Sequence, residues 1–132
     1  MIVVDASVAV MLATGEPGSD GADRMLAGAL RAAPDLILAE TANALWRKAR
    51  VGILTQADAA RASHEISRMF RSLVASQELR AQALDLALRR DHPVYDCFYV
   101  ALAMREVAPL LTADRRLAQR FAGDVKVRLP TA

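Results

Sequence analysis

Ile2-Val3-Val4-Asp5-Ala6-Ser7-Val8-Ala9 is the stretch on which the fold class turns. Three β-branched apolar residues in a row read as a short strand buried on both faces. An acid follows at once, and residues 6–13 turn to a helical pattern. The same order recurs outward from this segment. Leu36-Ile37-Leu38 reads as a second strand, ahead of a helix over 40–51 with Gly52 as its C-cap. Leu110-Leu111 is a third strand core ahead of a helix over 113–121, and 125–129 forms a final strand. Between them, 14–21 is a Gly-rich loop and 23–30 a helix. Thr55 and Asp58 start a helix reaching about Leu73, with Ile66, Met69, Phe70 and Leu73 at core spacing. Residues 78–90 form another helix, and Pro93 opens one that reaches about Glu106. Residues 73–77 carry no signal of their own. Short apolar strands alternating with helices predict an α/β fold with a parallel sheet covered on both faces.

Length and composition fit that reading. The 132 residues suit one domain, 1–132, large enough to bury a core without disulfides. Hydrophobic residues are 54% and charged residues 24%, which argues against disorder. Cys97, the one cysteine, excludes an internal disulfide or a zinc knuckle and points to a reducing compartment. Asp5 interrupts the apolar N-terminus and no basic segment precedes it, so no signal peptide is expected. No apolar run is long enough to span a membrane. The net charge is +2, yet 15 of the 17 basic residues are Arg, whose fork matches phosphate.

The acids fall at element boundaries. Asp5 follows the first strand, Glu40 lies two residues past 36–38, and Asp114 lies just past Leu110-Leu111-Thr112. Asp96 sits in the first turn of the Pro93 helix. Open parallel sheets bind ligands beyond the carboxyl ends of their strands. Four carboxylates there repel by about 1 kcal/mol per close pair even in water. Hard divalent cations with oxygen ligands, Mg²⁺ or Mn²⁺, relieve that repulsion. Two of them cancel the four acids and leave the rest of the chain at +6, which suits a polyanion. Such a cluster without a nucleotide motif points to phosphodiester hydrolysis. Ser7 is placed to hold a water or a phosphate oxygen, and Thr112 to cap the helix or orient Asp114.

Each acid also has a structural explanation. Asp5 serves as an N-cap, and Glu40, Asp96 and Asp114 suit first helical turns. His64 and His92 read as isolated surface or packing residues, and Cys97, Trp46, Phe98 and Tyr99 as packing residues. Arg47-Lys48-Arg50, Arg89-Arg90 and Arg115-Arg116-Arg120 fit solvated faces or phosphate contacts. Arg115 and Arg116 are the preferred phosphate contacts, because they neighbour Asp114.

Four segments together carry a family resemblance. They are Val3-Val4-Asp5-Ala6-Ser7-Val8, Leu38-Ala39-Glu40-Thr41-Ala42-Asn43-Ala44-Leu45, Val94-Tyr95-Asp96-Cys97-Phe98-Tyr99-Val100-Ala101-Leu102-Ala103 and Leu111-Thr112-Ala113-Asp114-Arg115-Arg116-Leu117. In order and spacing they resemble the PIN domain, and within it the VapC-type toxins of type II toxin–antitoxin pairs. The resemblance implies a Rossmann-like α/β/α sandwich with a mostly parallel central sheet. It implies an Mg²⁺- or Mn²⁺-dependent endoribonuclease, with Asp5, Glu40, Asp96 and Asp114 as catalytic and metal-holding acids and Ser7 and Thr112 in support. It further implies a cytoplasmic homodimer with an RNA substrate and a VapB-type antitoxin, operator DNA being reached only through the antitoxin. Some PIN enzymes carry another acid two residues after the fourth; Arg116 stands there, so one cation or two stays open. The rival reading is an antitoxin- or metal-binding module without nuclease activity. A phospho-acceptor built on Asp5 is set aside, because Ser7 stands where a second acid is needed.

Overall fold

Strand β1 (Ile2–Val4) is the middle of the sheet, and its alternation lays out the core. Val3 belongs to the larger apolar cluster, with Ile37, Leu45, Ile66, Leu79, Leu86, Tyr99, Leu102 and Phe121. Ile2 and Val4 belong to a smaller cluster with Val8, Ala22, Leu26 and Leu111. Successive strand residues point to opposite faces, so β1 must be covered on both. The computed structural model describes residues 1–131; Ala132, the end of the expected domain, lies outside them.

The other strands are β2 (Arg31–Pro34), β3 (Ser72–Val74), β4 (Leu110–Leu111) and β5 (Val127–Arg128). Their order is β3-β2-β1-β4-β5, with every neighbouring pair parallel. The helices are α1 (Ala6–Thr14), α2 (Ser19–Leu26), α3 (Ile37–Arg50), α4 (Gln56–Ser67), α5 (Ser76–Arg90), α6 (Val94–Glu106) and α7 (Arg115–Arg120). The α/β layering expected from the sequence is therefore present. No helix among the described residues is long and apolar enough to cross a membrane. The chain runs outward from β1 through β2 to β3, then returns to the far side of β1 for β4 and β5. The reversal lies between β1 and β4, the topological switch point at which open parallel sheets hold ligands.

Several boundaries differ from expectation. Residues 36–38 are no strand: Leu36 is the N-cap of α3 and Ile37 its first residue, and the second strand is Arg31–Pro34. Ala32 and Ala33 are buried between β1 and β3, where small side chains leave room for the covering layers. Glu40 consequently sits in the first turn of α3. The helix expected to reach Leu73 stops at Ser67. The Arg71 N–H then bonds to the Arg31 carbonyl at 2.9 Å and leads into β3, an edge strand missing from the sequence reading. The helix expected over 23–30 is α2, earlier by four residues, because Gly28 turns the chain at φ 74°. Val51 rather than Gly52 caps α3. The last helix and last strand shrink to Arg115–Arg120 and Val127–Arg128.

Candidate functional site

Asp5 ends β1 and N-caps α1, with its Oδ1 accepting the Val8 N–H at 3.2 Å. It is 5% exposed, so its remaining lone pairs need protein donors. Two hydroxyls supply them. Ser7 Oγ donates to Asp5 Oδ1 at 2.5 Å, and Thr112 Oγ1, just beyond β4, donates to Asp5 Oδ2. Those hydroxyls accept in turn from the next loop. The Ala113 N–H donates to Ser7 Oγ and the Asp114 N–H to Thr112 Oγ1, each at 3.0 Å. The loops leaving β1 and β4 are thus stitched together across the switch point. Thr112 orients Asp5 through its hydroxyl and holds Asp114 only by its backbone. Ser7 also donates its hydroxyl proton to Asp5, and its exposed oxygen keeps one lone pair toward the cleft.

Glu40 reaches the same region from α3. Tyr99, on the second turn of α6 and 1% exposed, donates its hydroxyl to Glu40 Oε1 at 2.6 Å. Asp96, one turn earlier on α6, meets His92 Nε2 through its Oδ2 at 2.7 Å. The His92 ring in turn stands edge-on to Phe121, with centroids 5.1 Å apart. Neither Tyr99 nor His92 figured as a site residue in the sequence reading. The His-x-x-x-Asp spacing, running from just before α6 into its first turn, was the available signal for His92; nothing local marks Tyr99, whose partner is 59 positions away.

The electrostatics record the crowding. Burial pushes the Asp5 carboxyl up to about 6, against the pull of Ser7, Thr112 and Val8, and the charge of Asp96 adds to the rise. Glu40 is raised by burial and by Asp96 and Asp5, with the Tyr99 hydrogen bond opposing. The Tyr99 hydroxyl is pushed far up by burial and by Glu40, so it remains a donor. Asp5, Glu40 and Asp96 therefore feel one another. The Asp114 carboxylate is used differently: its Oδ1 caps α7, accepting the Arg116 N–H at 2.9 Å and the Leu117 N–H at 3.3 Å. Arg115 and Arg116 are exposed at the start of that helix.

The PIN domain family model matches residues 2–122. The chain belongs to the PIN-domain family. It is 38% identical over 123 residues to Ribonuclease VapC3 of Pyrobaculum aerophilum, covering 91% of this chain and 94% of that one. The crystal structure of PAE2754 from Pyrobaculum aerophilum superimposes with a TM-score of 0.70 at 28% identity, over 95% of this chain and 89% of that one. The structure of VapBC2 from Rickettsia felis, bound to a DNA fragment from their promoter, shares the fold. It matches with a TM-score of 0.66 at 13% identity, over 98% of each chain.

Whether this PIN domain's acids fit a divalent cation is a matter of donor chemistry. Asp5, Glu40, Asp96 and Asp114 offer hard carboxylate oxygens, as Mg²⁺ and Mn²⁺ require. No Lys or Arg among the described residues pairs with Asp5 or Glu40; burial raises both carboxyls, and the neighbouring acids add to the rise. Among the described residues no group of three or more His, Cys, Asp or Glu side chains is arranged to hold a metal ion. Mg²⁺ does not demand one, since it keeps several waters and takes only one or two carboxylates. In donor type the residues fit the ion.

Proposed function

We propose that the chain is the toxin component of a toxin–antitoxin pair, an endoribonuclease that hydrolyses RNA phosphodiester bonds with Mg²⁺ or Mn²⁺. The observation that carries the reading is the Asp5 carboxylate, buried at the switch point, clasped by two hydroxyls and close enough to Asp96 and Glu40 for their charges to act on one another. Its likeness to Ribonuclease VapC3 supports the choice of RNA. Asp5, Glu40, Asp96 and Asp114 would hold the cation, which when bound supplies Lewis acidity and a water of lowered pKa. Ser7 and Thr112 hold Asp5 in one orientation, Tyr99 holds Glu40 and His92 holds Asp96, so the oxygens need no reorganisation when charge develops at phosphorus. Hydrolysis by water leaves a 5′-phosphate and a 3′-hydroxyl. The partner is a cognate VapB-type antitoxin, a reading supported by the likeness to Ribonuclease VapC3, with operator DNA met only through that antitoxin. The chain acts in the cytoplasm as a homodimer.

Asp5→Asn and Asp96→Asn each lower Mg²⁺-dependent cleavage of total RNA by about 100-fold or more, the upper range for damage to a metal site, while circular dichroism stays that of the parent. Undiminished cleavage in EDTA contradicts the mechanism. Absence of cleavage by the purified, antitoxin-free chain at any cation concentration leaves only a binding module.

A further inference from the structure

We propose that Arg47 and Lys48 form a phosphate-binding subsite that grips the RNA strand a few nucleotides from the bond being cut; the inference rests on the ribonuclease reading. A cleft of about 490 Å³ opens beside the carboxylates, lined by Ser7, Met11, Glu40, Ala44, Arg47 and Lys48 among others. On α3 the last four stand at i, i+4, i+7 and i+8, one face of a helix. At 1.5 Å per residue the cations lie about 10–12 Å along the axis from Glu40. Ala44, between them, is small and leaves the floor open. The face thus passes from the acidic end, where a cation belongs, to a basic end that suits the flanking backbone.

The two cations are held differently. Lys48 Nζ sits 2.8 Å from Glu16 Oε1, and Glu16 also takes the Thr14 hydroxyl at 2.9 Å, so a loop after α1 fixes Lys48 and shares its charge. Arg47 is exposed, and no carboxylate among the described residues pairs with it. Arg50, the third basic residue of this run, turns away to cover the Trp46 ring at 5.5 Å. Placement thus singles out Arg47 as the residue with a whole charge to offer a phosphate, with its fork suited to bidentate contact.

The test is binding of fluorescein-labelled single-stranded RNA of randomised sequence in EDTA, followed by anisotropy across a KCl series. Backbone contacts are sequence-independent, so a random pool suffices. Arg47→Gln weakens binding about tenfold, as expected for one charged hydrogen-bonding group, and reduces the slope of log K against log salt by about 0.7. Glu16→Gln, which releases the Lys48 charge, moves affinity in the opposite direction. Arg68→Gln, ahead of the N-terminal end of β3, leaves both quantities unchanged. Calorimetric Mn²⁺ uptake by Arg47→Gln equals that of the parent. An Arg47→Gln chain that binds like Arg68→Gln overturns the subsite, and so does a parent chain that binds no RNA. Cleavage of total RNA with Mg²⁺ then shows whether the ribonuclease reading falls with it.

Discussion

Asp5 is a residue the fold holds at a cost. Its carboxyl is raised from 3.8 to about 6, so between those values the native state binds a proton that the unfolded chain has lost. Stability from this group is fully present below about 3.8 and is lost as pH rises through about 6, a swing of order 3 kcal/mol. Glu40 moves in the same direction. The metal-free chain is therefore expected to melt at a lower temperature at pH 7.5 than at pH 5, and Asp5→Asn flattens that dependence. Thermal denaturation in EDTA across this range checks both. The same scale contains Tyr99, whose hydroxyl is aimed at Glu40 from a position 1% exposed. Tyr99→Phe keeps the ring and deletes only the donor. Cleavage falls about tenfold, in the range of a charge-assisted hydrogen bond, and the Mg²⁺ concentration for half-maximal activity rises. Unchanged cation dependence would show that Tyr99 only packs.

At the scale of elements, α6 ends under strain. Val107 is its C-cap in the left-handed region at φ 50°, a conformation unfavourable for a β-branched side chain, and it is 93% exposed. Val107→Gly stabilises the chain by about 1 kcal/mol and leaves cleavage unaltered, because this cap precedes β4 at the end away from the acids. Denaturant melts and cleavage rates measure the two halves of that statement. Strands β1 and β4 were legible because their residues are apolar and buried on both faces. Strand β2 was not: Ala32 and Ala33 have weak strand preference, and only β1 and β3 on either side make them a strand. Leu36-Ile37-Leu38 drew the assignment instead, although Ile37 alone of the three is fully buried, as a helical turn requires. Strand β3 hid behind a helical spacing that ran on to Leu73; that residue is 36% exposed on an edge strand. Asp5, Glu40 and Asp96 were readable from their place at element starts, which survives a shift of a few residues in the strand before Glu40. The roles of Tyr99 and His92 exist only in three dimensions.

For the whole molecule, the strand order makes the chemistry. Reversal between β1 and β4 brings Asp5 against Thr112, which are 107 positions apart, and α3 and α6 bring Glu40 and Asp96 to the same crevice. A chain with a formal charge of +2 thereby concentrates negative charge at one point and leaves positive charge along α3 and α7 around it. A cation at that point reverses the local sign and lets a polyanion approach. The central claim is that these acids are a divalent-cation site. It is tested most directly by titrating Mn²⁺ into the metal-free chain and its Asp5→Asn variant by calorimetry at pH 7.5. The account predicts saturable uptake at or below millimolar concentration by the parent and its loss in the variant; no uptake by the parent, or equal uptake by both, contradicts it.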